Sequence, residues 1–219
     1  MKQRFNSHLF WGSHSPLAAL SASTLIILAS SRLAFAIICS AALIWVYALT
    51  SLIITAARKI MPSRGRMVIL LFLSTFLCAV FMLLLGFINP LLILGMVFFL
   101  LLIPPCCLGA GYFESITTVD PIEATIRALF EAITLSGIIL AFALIREPFG
   151  MGTLSFPGGY QGIVEFVIAK DHEVFVPLRI LSVSGGGLLL LGYATALYRY
   201  LREQSGSVPR DHNMTEVKR

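Results

Sequence analysis

Charge is what this chain has least of. Only 12% of its 219 residues are Asp, Glu, Lys or Arg, against 58% hydrophobic residues and a mean hydropathy of +0.89. A soluble domain carries about a quarter charged residues, so that class is excluded and an integral membrane protein is indicated. Acidic residues are the scarcer sign, 11 against 16 basic, giving a net charge of +5. Cysteine is also sparse. Cys39, Cys78, Cys106 and Cys107 all lie in apolar stretches, which excludes a secreted-type disulfide framework. No P-loop, dinucleotide fingerprint, Ser-His-Asp arrangement or CxxC zinc module is present, so the chain shows no nicotinamide or flavin site of its own. No Ala-x-Ala-like site follows the first apolar run, which argues against a cleavable signal peptide.

What is present is a series of apolar runs near the roughly 20 residues needed to cross about 30 Å of hydrocarbon. They fall at about 17–30, 33–57, 67–88, 91–111, 128–145 and 177–200. The first is short and rich in Ser and Ala, so a re-entrant or broken segment competes with a simple crossing. The turn Asn89-Pro90 makes the third and fourth segments an antiparallel pair. The expected architecture is all-α, with six transmembrane helices in two inverted three-helix repeats whose first and fourth helices are broken. Residues 1–15 would form an N-terminal tail, 16–202 the membrane domain and 203–219 a polar C-terminal tail.

Basic residues set the orientation, because cytoplasmic loops carry the excess of Lys and Arg. Lys2 and Arg4 precede the first segment; Arg58, Lys59, Arg64 and Arg66 fill the second loop; Arg199, Arg202, Arg210, Lys218 and Arg219 follow the last. With six crossings all three groups share one side. Both termini are then cytoplasmic, the Pro148 to Val176 loop is external, and the basic balance reflects topology rather than nucleic-acid binding.

The stretch Leu100 to Glu114, LLLIPPCCLGAGYFE, interrupts its helix. Pro104 and Pro105 cannot donate backbone hydrogen bonds, and a carbonyl freed in hydrocarbon needs another partner. Irregular backbone at that depth often lines a site. Cys39 and Cys78 read as small buried hydrophobes. Cys106 and Cys107 follow the break and could offer thiolates to a soft metal or cluster, although one chain with two thiols cannot complete a four-ligand set.

Ionisable residues within apolar segments are functional suspects. Glu131 stands one turn after Arg127, where an i, i+4 ion pair competes with a role in an ion or proton path. Glu114 could cap backbone or pair with Arg127. Arg146 and Glu147 read as structural clamps, to a partner subunit or to the glycine loop behind them. Gly185-Gly186-Gly187 would let helices approach closely. Asp171-His172-Glu173 in the external loop is weak evidence for a metal.

The run from Ile145 to Leu154, IREPFGMGTL, resembles the (L/I)RE-x-x-G-x-GTL signature of the small six-helix subunits of Rnf electron transport complexes and sodium-pumping NADH:quinone oxidoreductases. Cys107, Gly111 and Glu114 fit that family's C-x-x-x-G-x-x-E pattern, and 29–36 followed by a long second helix matches its first half. The resemblance covers about 16–202 and is greatest to the Rnf E or Nqr D subunit. It implies a bacterial inner-membrane subunit of an ion-translocating complex, with no catalysis of its own. Such a subunit relays electrons across the bilayer and couples them to Na+ or H+ movement. It implies a homologous, inverted six-helix partner sharing a [2Fe-2S] cluster, each chain giving two cysteines from its broken helices. Cys107 matches the second ligand, while Thr24 stands where the first cysteine is expected and Cys106 stands in place of Asn.

Three explanations follow. Cys106 and Cys107 both ligate, or a cluster survives with one non-thiolate ligand, or the chain has lost the cluster and kept the structure and ion path. Cys39, 15 positions beyond Thr24, would lie about 22 Å away along a continuous helix, too far to substitute. A cluster-free small-solute transporter or scaffold on the same inverted repeat is the competing function.

Overall fold

The computed structural model describes residues 16–57, 66–109, 121–158, 162–167 and 179–204. Its helices are α1 (Pro16–Ala29), α2 (Leu33–Ala57), α3 (Arg66–Ile88), α4 (Pro90–Leu101), α5 (Ile103–Gly109), α6 (Pro121–Met151) and α7 (Ser184–Gln204). A hairpin of β1 (Thr153–Pro157) and β2 (Ile163–Val167) follows α6, and a 3-10 turn, Arg179–Leu181, precedes α7. Proline opens α1, α4 and α6, where the N–H it lacks would be unpaired in any case.

Among the described residues, three helices are long and apolar enough to cross a bilayer: Leu33–Ala57, Val68–Ile88 and Ile122–Met151. Large apolar side chains face outward along them, including Phe72, Phe76, Phe87 and Phe130. Outward-facing aromatics on this scale suit lipid as the solvent.

Buried α2 is the central element, and its most extensive partner is α6. The reason lies in the α6 sequence: Ala124, Ala128, Ala132 and Ser136 recur every four residues, all buried, and let the two backbones approach. Hydroxyls stitch the seam. Ser51 Oγ meets Thr125 Oγ1 at 3.3 Å, and Ser136 Oγ donates to the Ser40 carbonyl at 3.4 Å, so the helices run antiparallel.

Several expected boundaries shift. The fifth segment extends from 128–145 to Pro121–Met151. At its start, Glu123 and Arg127 form an ion pair at 2.6 Å that supports two further turns. At its end, Arg146 and Glu147 are buried inside the protein instead of marking an exit to water. The last helix begins at Ser184 rather than near 177. Helix propensity is poor through Gly185-Gly186-Gly187, and the backbone just before them forms the 3-10 turn. The segment after α6 contains the antiparallel hairpin, whose register runs from Thr153 opposite Val167 to Pro157 opposite Ile163.

The proline break is mild. Only Leu102 separates α4 from α5, and Pro104 and Pro105 occupy the first turn of α5, where their missing N–H groups forfeit little. The Leu100 carbonyl, which residue 104 would otherwise serve, accepts from Cys78 Sγ at 3.1 Å.

Candidate functional site

Among the described residues, polar side chains concentrate where the C-terminus of α1, the N-terminus of α2 and the end of α6 meet the hairpin and the turn before α7. At the C-terminal end of α6, Arg146 is 2% exposed and Glu147 1%. Buried charges of this kind are tolerable only when fully hydrogen-bonded. The Arg146 guanidinium donates through Nη1 to the Ile27 carbonyl and to Ser30 Oγ, the latter at 3.3 Å. Its Nε donates to the Leu181 carbonyl at 2.6 Å, and Nη2 donates to the carbonyls of Ser182 and Val183 at 3.0 and 2.9 Å. Ile27 is in the last turn of α1, whose carbonyls have no intrahelical partner and whose dipole favours a cation.

Glu147 serves the opposite helix end. Its Oε2 accepts from the Leu33 amide at 2.6 Å, and Ser155 Oγ accepts from the next amide, Ala34, at 3.2 Å. The first turn of α2 thus finds two side-chain acceptors, one of them an anion at a positive helix end. Adjacent residues of opposite charge thereby hold the two sides of the Ser30–Arg32 turn. Arg32 itself reaches across to Glu165 of β2 at 2.5 Å. The clamp is internal to the chain: it joins α1, α2, the hairpin and the turn before α7.

Glycine makes room for it. A Cβ on Gly187 would stand 3.1 Å from Arg146 Cζ, Arg146 Nη1 and Ile27 Cγ2, and one on Gly186 would collide with the Ile180 carbonyl. These glycines therefore admit the guanidinium and the preceding turn, in addition to any approach between helices.

Glu131 lies near the middle of α6, half-buried, and its Oε2 has no hydrogen-bond partner. The i, i+4 pairing expected with Arg127 is not the one formed. Arg127 instead bonds Glu123 at 2.6 Å, and an acid placed N-terminal to the base is the more favourable order on a helix.

The thiols occupy one core. Cys39, Cys78 and Cys106 are 0%, 2% and 3% exposed and belong to one buried cluster. No continuous helix separates Thr24 from Cys39, because the chain turns at Ser30–Arg32, and Cys39 shares a buried cluster with Cys106 of the proline-break segment. Among the described residues no group of three or more His, Cys, Asp or Glu is arranged to hold a metal ion. Thr24 is exposed. Cys107 belongs to α5, with its side chain outside the described residues, as are Glu114, Gly111 and Asp171-His172-Glu173 altogether.

Sequence reasoning singled out Arg146, Glu147 and Glu131. It missed Ser155, Ser30 and the Arg32–Glu165 pair, whose partners are more than 100 positions away. It also missed the Ala124, Ala128, Ala132, Ser136 spacing, which was legible.

Outward-facing apolar helices around a polar junction closed by backbone carbonyls define a polytopic helical membrane protein. A model of the family described as Rnf-Nqr subunit, membrane protein, matches residues 8–193, and the chain belongs to that family. No curated protein matches it.

Proposed function

We propose that this chain is a membrane subunit of an Rnf/Nqr-type ion-translocating electron transport complex, where it helps relay electrons across the bilayer and couples them to Na+ or H+ movement. Family membership over residues 8–193 is the observation that carries this reading. Its neighbours would be the other subunits, among them a homologous six-helix chain of inverted topology. Flavin and nicotinamide chemistry would belong to those subunits.

The topology we propose has six crossings, formed by α1, α2, α3, α4 with α5, α6, and α7. Support comes from the ends that meet. The C-terminus of α1, the N-terminus of α2, the turn between α3 and α4, the C-terminus of α6 and the approach to α7 all converge on the clamp and hairpin. An alternating up-and-down path requires this. The basic loop at 58–66 then lies at the opposite, cytoplasmic end with both termini, in a bacterial inner membrane.

Cys107 is the proposed contribution to a [2Fe-2S] cluster shared with the partner subunit. The donor chemistry within this chain is partial: Cys106 is buried with Cys39 and Cys78, and Thr24 presents a hydroxyl, a poor substitute for thiolate. A bound cluster would supply one-electron transfer. Thr24 in place of the expected cysteine favours, as second reading, a cluster-free subunit that retains an ion path or scaffold role. Glu131, whose carboxylate oxygen lacks a partner, is the proposed ion- or proton-handling residue.

Iron analysis and low-temperature EPR of the dithionite-reduced complex, comparing parent with Cys107→Ala, test the relay. A [2Fe-2S] signal lost on substitution supports it. An unchanged signal, or an iron-free complex that still contains the folded subunit, supports the second reading.

A further inference from the structure

The hairpin after α6 has its faces reversed. In the β1–β2 register Ser155 lies opposite Glu165, and these residues point toward the helices: Ser155 is buried and bonds Ala34, and Glu165 pairs with Arg32. Strand alternation therefore sends Phe156, Val164 and Phe166 to the other face, while Leu154 at the root of the hairpin packs against the helical core. Those three are all apolar. Phe156, Val164 and Phe166 are 43%, 38% and 58% exposed, and the two phenyl rings meet edge to face with centroids 6.0 Å apart. A hairpin in water would turn this face inward and Ser155 and Glu165 outward.

The hairpin is held in this attitude. Gly152, with φ of 68°, is the sole residue between α6 and β1, and Gly162, with φ of 82°, abuts the α3–α4 turn. A Cβ at Gly162 would come 3.1 Å from Leu92 Cβ and 3.4 Å from Asn89 Oδ1. Two glycine positions that disfavour any side chain thus fix the root and the tip.

We propose that this apolar face rests in the interfacial layer of the bilayer, with lipid as its occupant. Continuity supports lipid: exposed Phe149 and Met151 of the last α6 turn lead directly into the hairpin. Depth is limited by backbone chemistry. A two-stranded hairpin keeps unpaired N–H and C=O groups along its edges, which exclude the hydrocarbon centre but are satisfied among headgroups and water. The hairpin would then anchor the clamp end of the helices at a fixed depth.

The test uses the purified complex in nanodiscs, with Phe166→Trp and, as a second probe, Phe156→Trp, reading the emission added over the parent. Lipids brominated near the head of the acyl chain should quench that increment at least twofold more than lipids brominated near its end. Quenching by aqueous iodide without bromolipid quenching overturns the proposal, because the face is then in water. Quenching by neither also overturns it, because another chain then covers the face.

Discussion

Glu147 Oε2 accepts the Leu33 amide at 2.6 Å, joining residues 114 positions apart and capping the central helix with a buried carboxylate. Glu147→Ala removes the cap and strands a buried donor, so a loss of about 1–3 kcal/mol is expected. Glu147→Gln keeps an acceptor of the same shape and should lose less. Thermal unfolding midpoints in detergent check this; equal midpoints for the two variants and the parent would remove the cap from the account.

Arg146 is a sharper case because its planar fork serves four carbonyls and one hydroxyl from three segments. Lysine keeps the charge but offers three donors from a single point, so Arg146→Lys is not conservative here. It should destabilise by about 1–3 kcal/mol, with Arg146→Met more damaging because several buried carbonyls lose their donor together. The monodisperse fraction on size-exclusion chromatography should rank parent, Lys, Met. A Lys variant matching the parent would show that charge alone suffices.

These two residues also show what a sequence discloses. Adjacent opposite charges at the end of an apolar run are conspicuous by type, so Arg146 and Glu147 were legible as clamps. Their partners were not, because Ile27, Leu33, Leu181 and Val183 contribute backbone atoms that carry no residue-specific signal. The limits of α2 were legible from Ser30-Ser31-Arg32 and the apolar run after it. Those of α6 were not, since hydropathy marks where charge begins and not where a helix stops. Pro104 and Pro105 promised a broken helix; with both prolines in a first turn and the Cys78 thiol serving the Leu100 carbonyl, the break is one residue, Leu102.

The α7 glycines divide by surroundings. Gly187→Ala places a methyl against Arg146 and Ile27, and Gly186→Ala drives one into the Ile180 carbonyl, so both should destabilise, the second more. Gly185 and Gly192 have nothing within 4 Å of a built Cβ, and alanine there should gain up to about 1 kcal/mol of helix stability in the isolated subunit. Comparing melting of the subunit with assembly of the complex separates two effects. A stabilised subunit that fails to assemble would locate a partner helix on the Gly185–Gly192 side.

Cys78 is expected to matter as a donor. Cys78→Ser preserves a hydrogen to the Leu100 carbonyl, whereas Cys78→Val keeps the volume and leaves that carbonyl without its thiol. The valine variant should be less stable than serine by about 1 kcal/mol. If chemical denaturation in mixed micelles gives the opposite order, packing outweighs the hydrogen bond at this position.

Glu131 makes the last prediction, because its structure and its proposed role separate cleanly. Arg127 is already paired with Glu123, so Glu131→Gln breaks no ion pair and should leave folding and assembly intact. The amide cannot release a proton or hold a cation with a full negative charge. If the carboxylate belongs to the ion path, proteoliposomes containing the variant complex should move fewer ions per electron transferred, while Arg127→Gln should change that ratio little. Equal ratios for Glu131→Gln and parent would return Glu131 to the helix surface as a residue of packing alone.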